Sequence, residues 1–198
     1  MPAWQDQLHA FIGEFPDPAY GTGHSRRVYS LAIRLAAEEG LTVDPDCLYA
    51  AAFLHDLGAM EPYLQEGVDH VERSLQAEPA ILSEIGFDEE RVQRVMGCIA
   101  GHMFYTPPED WPEDTVFHDA DTLDFMGSVG VMRILTLVGR DDWTPDLPSA
   151  IELIRRFRRE LPDSLVTGVA REWAAWRAEE MEAFLSGVSE GTDGLRLL

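Results

Sequence analysis

Apolar positions recur along this chain at the spacing of α-helices. In "WQDQLHAFIGEF", Trp4, Leu8, Phe11, Ile12 and Phe15 make one stripe, which Pro16 and Pro18 end. The stripe returns in "HSRRVYSLAIRLAAEEG" at Val28, Leu31, Ala32 and Leu35, with Gly40 as the stop. "DPDCLYAAAFLHDLG" opens on Asp44 as a cap with Pro45 in the first turn. It is apolar almost all round, which predicts the central, most buried helix. Further helices are expected over 67–85, 88–103, 115–126, 128–139, about 149–160 and 164–187, with a break at Gly127. Residues 104–114 and "DDWTPDLPS" read as loops. The last helix carries Trp173, Trp176, Met181 and Phe184 on or near one face, suited to a core or to a dimer contact. No strand pattern, internal repeat or low-complexity linker interrupts the series. The expectation is one all-α domain over 1–188, a helical bundle, with a flexible tail at 189–198.

Composition narrows the class. The 198 residues suffice for one sizeable core. No apolar run reaches the ~20 residues of a membrane helix, and the N-terminal stretch is acidic, unlike a signal peptide. A cytoplasmic location is therefore expected. The net charge is −21 and the chain holds no lysine, so every basic side chain is an arginine. Such a surface repels a nucleic-acid backbone, which argues against a polymer partner. It leaves room for a small phosphate ester if a metal ion or a local Arg cluster inverts the field. Cys47 and Cys98 lie in apolar helical contexts without finger or redox spacing, and read as small buried hydrophobes.

The chemistry gathers on histidines. Of His9, His24, His55, His70, His102 and His118, one alone on a helix means little; the set carries the signal. In "AAFLHDLGAM" an apolar helix ends on His55 and Asp56, just before Gly58. Mid-helix neighbours diverge by about 100°, but at a last turn an imidazole and a carboxylate can converge on one ion. Nitrogen with oxygen donors suits Mn, Fe, Co, Ni or Zn. A buried Asp needs a cationic partner, and an Arg or a helix cap would serve as well as a metal. His24 opens a helix in "GTGHSRRV", and Asp121 lies near a helix start in "FHDADTLDFMG".

In this order "GHSRRV", "FLHDLG", "GCIAGH" and "DADTLD" resemble the HD superfamily of metal-dependent phosphohydrolases, over residues about 20–135. The resemblance implies an all-α HD fold with a divalent ion on His24, His55, Asp56 and Asp121, Mg being admissible beside the transition metals. His70 and His102 resemble the extra histidines of two-metal HD proteins. They are either ligands of a second ion, phosphate contacts and proton donors, or structural. Asp56, His70 and His102 are the expected catalytic groups, acting on a small phosphorylated molecule such as a nucleotide through a metal-activated water. Several HD enzymes carry Glu or Lys three residues after the Asp of the doublet; here that position is Ala59. A separate general base carried over from them is therefore not expected.

Among Arg26, Arg27, Arg73 and Arg133, the candidates for holding phosphate are Arg27, close to His24, and Arg133, set in an apolar stretch. Asp124 is a candidate second acceptor for a ligand histidine. Tyr105 and Trp111 in the Pro-rich loop either stack on a base or simply pack. Two other functions keep the same site: a di-iron HD-type oxygenase, which the extra histidines allow, and a nucleotide-binding module without turnover, which Ala59 allows. The oligomeric state is expected to be monomer or homodimer.

Overall fold

The computed structural model describes residues 3–109 and 111–198. Its helices are α1 (Ala3–Gly13), α2 (Thr22–Glu39), α3 (Pro45–Leu54), α4 (His70–Glu84), α5 (Val92–Ala100), α6 (Pro112–Asp124), α7 (Gly127–Thr136), α8 (Leu147–Ser164) and α9 (Gly168–Gly191). There is no strand among the described residues. The chain divides into two compact units, one up to Asp121 and one from Thr122.

In the first unit α3 is central, packed against α1, α2 and α5. Every residue from Cys47 to Leu54 is buried, as its all-round apolar pattern requires. The Asp44 carboxylate caps it, accepting from the Asp46 and Cys47 amides at 3.0 and 3.4 Å. Helix α2 presents Val28, Leu31, Ala32 and Leu35 to the core and ends where Gly40 turns left-handed at φ 68°. The Leu41 amide then reaches back to the Ala36 carbonyl at 2.8 Å, closing the C-terminal turn. Cys47 and Cys98 are buried and unbridged. Burial pushes the Cys47 thiol up to about 12 and the Cys98 thiol well above its usual range, so both are poor nucleophiles.

In the second unit α7, α8 and α9 pack on one another. Gly127 has φ 69°, and a methyl there would press on the Glu180 carboxylate. That carboxylate accepts from the Ser128 amide and hydroxyl at 2.8 and 3.0 Å and so caps α7. The buried stripe of α9 is Ala170, Ala174, Met181 and Leu185, spaced on one face, while Trp176 is 49% exposed. Of the residues expected on or near one face of the last helix, Met181 lies in the buried stripe and Trp176 does not. The helix runs on to Gly191, and the Leu197 amide is bonded to the Thr192 carbonyl at 3.1 Å.

Two helix starts differ from the sequence reading for one reason. Pro112 and Pro148 read as loop residues, yet both lie in the first turn of a helix, where a missing N–H costs nothing. Helices α6 and α8 therefore start earlier than expected. At the other end α8 runs past Pro162 to Ser164.

Candidate metal centre

The six expected side chains come from five separate stretches of the first unit. His24 lies in the first turn of α2, His55 and Asp56 directly follow α3, His70 opens α4, His102 follows α5, and Asp121 lies on α6. All six meet. The His24 and His55 Nε2 atoms are 2.9 Å apart. His24 Nε2 is 3.3 Å from Asp56 Oδ2 and 3.3 Å from Asp121 Oδ1. His55 Nε2 lies 3.2 Å from Asp56 Oδ2 and 3.7 Å from Asp121 Oδ1. The other Asp56 oxygen, Oδ1, faces His70 Nε2 at 3.9 Å and His102 Nε2 at 4.0 Å.

Local structure aims these rings. Carbonyls in the last turn of a helix lack intrahelical partners. His55 Nδ1 donates to the Ala52 carbonyl at 3.2 Å, and His102 Nδ1 donates to the Ile99 carbonyl at 2.7 Å. Each bond spans three residues at a helix C-terminus. It turns the Nε2 lone pair of each ring inward, the orientation a metal-ligating imidazole needs.

Two features that sequence reasoning missed brace the doublet. The Ser74 hydroxyl, one turn along α4 from His70, donates to the His55 carbonyl at 2.7 Å and accepts from the Gly58 amide at 2.9 Å. Gly58 sits against α4 so closely that a Cβ would overlap the His70 carbonyl oxygen and press on Arg73. Its spacing to Asp56 suggested a helix stop, but its role is this close approach. The only sequence signal for Ser74 was its position four residues after His70. Gly58→Ala should therefore cost about 2 kcal/mol, the usual penalty of overpacking, and push His70 away from Asp56. Urea denaturation together with metal content would check both.

Electrostatics match the geometry. Burial works against the charged form of Asp56, but His55 and His24 outweigh it and hold its carboxyl well below the usual range. Asp121 is likewise held low against burial by hydrogen bonds from His24 and His55. Burial opposes protonation of His55, yet Asp56 and Asp121 together raise it. Burial and the neighbouring His55 charge push His102 down to about 4, leaving its imidazole neutral near pH 7.

The donor set fits a divalent ion. The His102 Nε2 atom is buried without a hydrogen-bond partner, and such an atom is costly unless a cation completes it. Among the described residues, two groups have ligand atoms mutually within 4.8 Å: His24, His55 and Asp121, and His55, Asp56 and His102.

Arg27 is half-buried on α2, one turn past His24. Arg133 is buried in the second unit, 3.1 Å from Asp124, with its guanidinium 3.9 Å over the Phe125 ring. Asp124 thus faces an arginine. Arg73 donates to the Gln65 carbonyl at 2.7 Å, and Arg26 is exposed. His118 pairs with Asp119 at 3.2 Å, and the His9 ring packs on Phe53. The Trp111 ring is covered by the Arg94 guanidinium at 4.2 Å, while Tyr105 is 58% exposed. Ala59 carries no titratable group, and Glu61, the next acid after the doublet, is exposed.

Comparison with known proteins agrees with this picture. A family model described as the HD domain matches residues 21–126. No curated protein matches the chain. Among solved structures, Bacillus subtilis YpgQ in complex with ADP superposes with a TM-score of 0.69 at 26% identity, covering 96% of this chain and 98% of that one. An HD-superfamily hydrolase from Bacillus thuringiensis matches with a TM-score of 0.65 at 22% identity, covering 96% of each chain. One from an uncultured Thermotogales bacterium has a TM-score of 0.63 at 23% identity, covering 95% of this chain and 90% of its own. These last two likenesses concern the fold alone.

Proposed function

The chain belongs to the HD-domain family, and from that premise we propose that it is a metal-dependent phosphohydrolase acting on a nucleotide or similar small phosphorylated molecule. The observation that carries this reading is the division of Asp56 between two nitrogen pairs, Oδ2 toward His24 and His55, Oδ1 toward His70 and His102. A carboxylate so placed can serve two ions at once. His24, His55 and Asp121 complete the first set, and His70 and His102 the second. Divalent ions bound there supply charge stabilisation for the phosphoryl oxygens and lower the pKa of a water molecule.

The protein's own groups do the rest. Asp56 orients the attacking water by accepting its hydrogen bond. His70, the most exposed of the six at 22% side-chain exposure, stands where the incoming phosphate meets the centre. His102, neutral and held by Ile99, keeps its Nε2 lone pair available. Arg27 offers a guanidinium to the anionic end of the substrate. The ADP bound to the Bacillus subtilis relative supports a nucleotide as the ligand class here.

The test is elemental analysis of untagged protein with a parallel assay of nucleoside triphosphate hydrolysis in Mn2+. Two ions per chain and phosphate or pyrophosphate release are expected. Iron with oxygen consumption and no phosphate release would replace this reading with the oxygenase. Tight nucleotide binding without product over hours would replace it with a binding module.

A further inference from the structure

The centre is closed on most sides. The side chains of His24, His55 and His102 are at most 1% exposed, Asp121 is 6% and Asp56 10% exposed, and His70 is 22% exposed. It therefore opens beside His70. Two segments meet at that opening. One is the start of α4, where Asp69 caps the helix and is followed by His70. The other is the turn after His102, closed by the Thr106 amide on the Met103 carbonyl at 2.7 Å. Tyr105 lies in this turn, and the His70 and His102 rings that begin the two segments are 5.6 Å apart.

We propose that Tyr105 is the platform for a flat ring at the far end of the substrate, so that the site selects phosphate compounds ending in a nucleobase or comparable ring. This rests on the phosphohydrolase reading above. Three observations carry it. Tyr105 is 58% exposed, and the ring contact it makes among the described residues is edge-to-face with Phe104 at 5.1 Å. Its phenol is raised first by burial and then by the carboxylate of Asp69, the residue that caps α4 beside His70. The loop's third aromatic, Trp111, already carries the Arg94 guanidinium over its ring. The rim also has a sign. Asp69 stands there with a side chain 57% exposed, so a second anionic end would be repelled where an uncharged ring is not. A phosphate gripped at the centre thus leaves the rest of the molecule passing His70 toward Tyr105.

Calorimetric titration in Mn2+ compares ADP, which has a ring, with pyrophosphate, which has none, on wild type, Tyr105→Ala and Tyr105→Phe. Stacking of the size found for bases on aromatic side chains predicts about tenfold weaker ADP binding in Tyr105→Ala. Tyr105→Phe should keep wild-type affinity, and pyrophosphate should bind all three proteins alike. Equal weakening of both ligands, or no weakening of ADP, would overturn the platform. Loss of ADP affinity in Tyr105→Phe would do so too, because the hydroxyl would then be the contact. A wild type that binds neither ligand removes the platform and the function it rests on. ADP binding as expected in a protein that hydrolyses no nucleotide keeps the platform and removes only the hydrolase.

Discussion

Asp56→Asn is expected to abolish metal-dependent hydrolysis while leaving a folded chain. The amide keeps the shape of the carboxylate but removes the charge that both nitrogen pairs face at 3.2–4.0 Å. Any ion held there would lose an anionic ligand, and the attacking water would face a neutral acceptor in place of a charged one. We expect kcat to fall by about a thousandfold or more, the scale seen when a preorganised group at the reacting charge is removed. Metal content should fall with it. Circular dichroism and gel filtration unchanged from wild type would tie the loss to the site. A variant with full turnover in Mn2+ would remove Asp56 from the centre of the mechanism and the two-ion reading with it.

The second large effect concerns stability and lies away from the metal centre. Glu78 is fully buried on α4, below Ser74 on the same face, and neither carboxylate oxygen has a hydrogen-bond partner. Burial raises its pKa from 4.5 to about 8. The native state therefore holds a proton that the unfolded chain releases near pH 4.5. Between these two values the native state binds more protons, so stability falls as pH rises, and it levels off above pH 8. At about 1.4 kcal/mol per pKa unit the loss amounts to as much as about 5 kcal/mol, a large share of the 5–15 kcal/mol typical of a domain. Glu78→Gln cannot ionise and should erase this slope. Urea denaturation at pH 5, 6.5 and 8 should show the variant gaining on wild type at each step. Parallel pH curves for the two proteins would mean that Glu78 does not titrate in the folded chain.

What could be read from the sequence was local. Asp44 and Pro45 announce α3 because cap and first-turn proline act on their own neighbours. Gly40 announces the end of α2 in the same way. The donors were legible as a set, since His24, the His55–Asp56 doublet and Asp121 stand in a fixed order at helix ends. The unread parts depend on what a residue meets across the fold. Gly58 matters for the backbone of α4, Ser74 for the carbonyl of His55, and Arg133 for Asp124, and none of these partners is signalled by spacing alone. Whether Trp176 serves core or surface was open in the sequence, because that depends on the helical phase that assigns the buried face to Ala170, Ala174 and Met181.

The tethers of His55 and His102 bear on how this site can change over time. Active-site residues commonly cost stability, so that losing them firms the fold and function must be defended against drift. Here each imidazole also satisfies a carbonyl, Ala52 or Ile99, that its helix leaves open. Removing either ring strands that carbonyl as well as emptying a ligand position. Selection for folding alone would then favour keeping both histidines, and a lineage that ceased to need the chemistry would shed them more slowly than it shed Tyr105 at the rim.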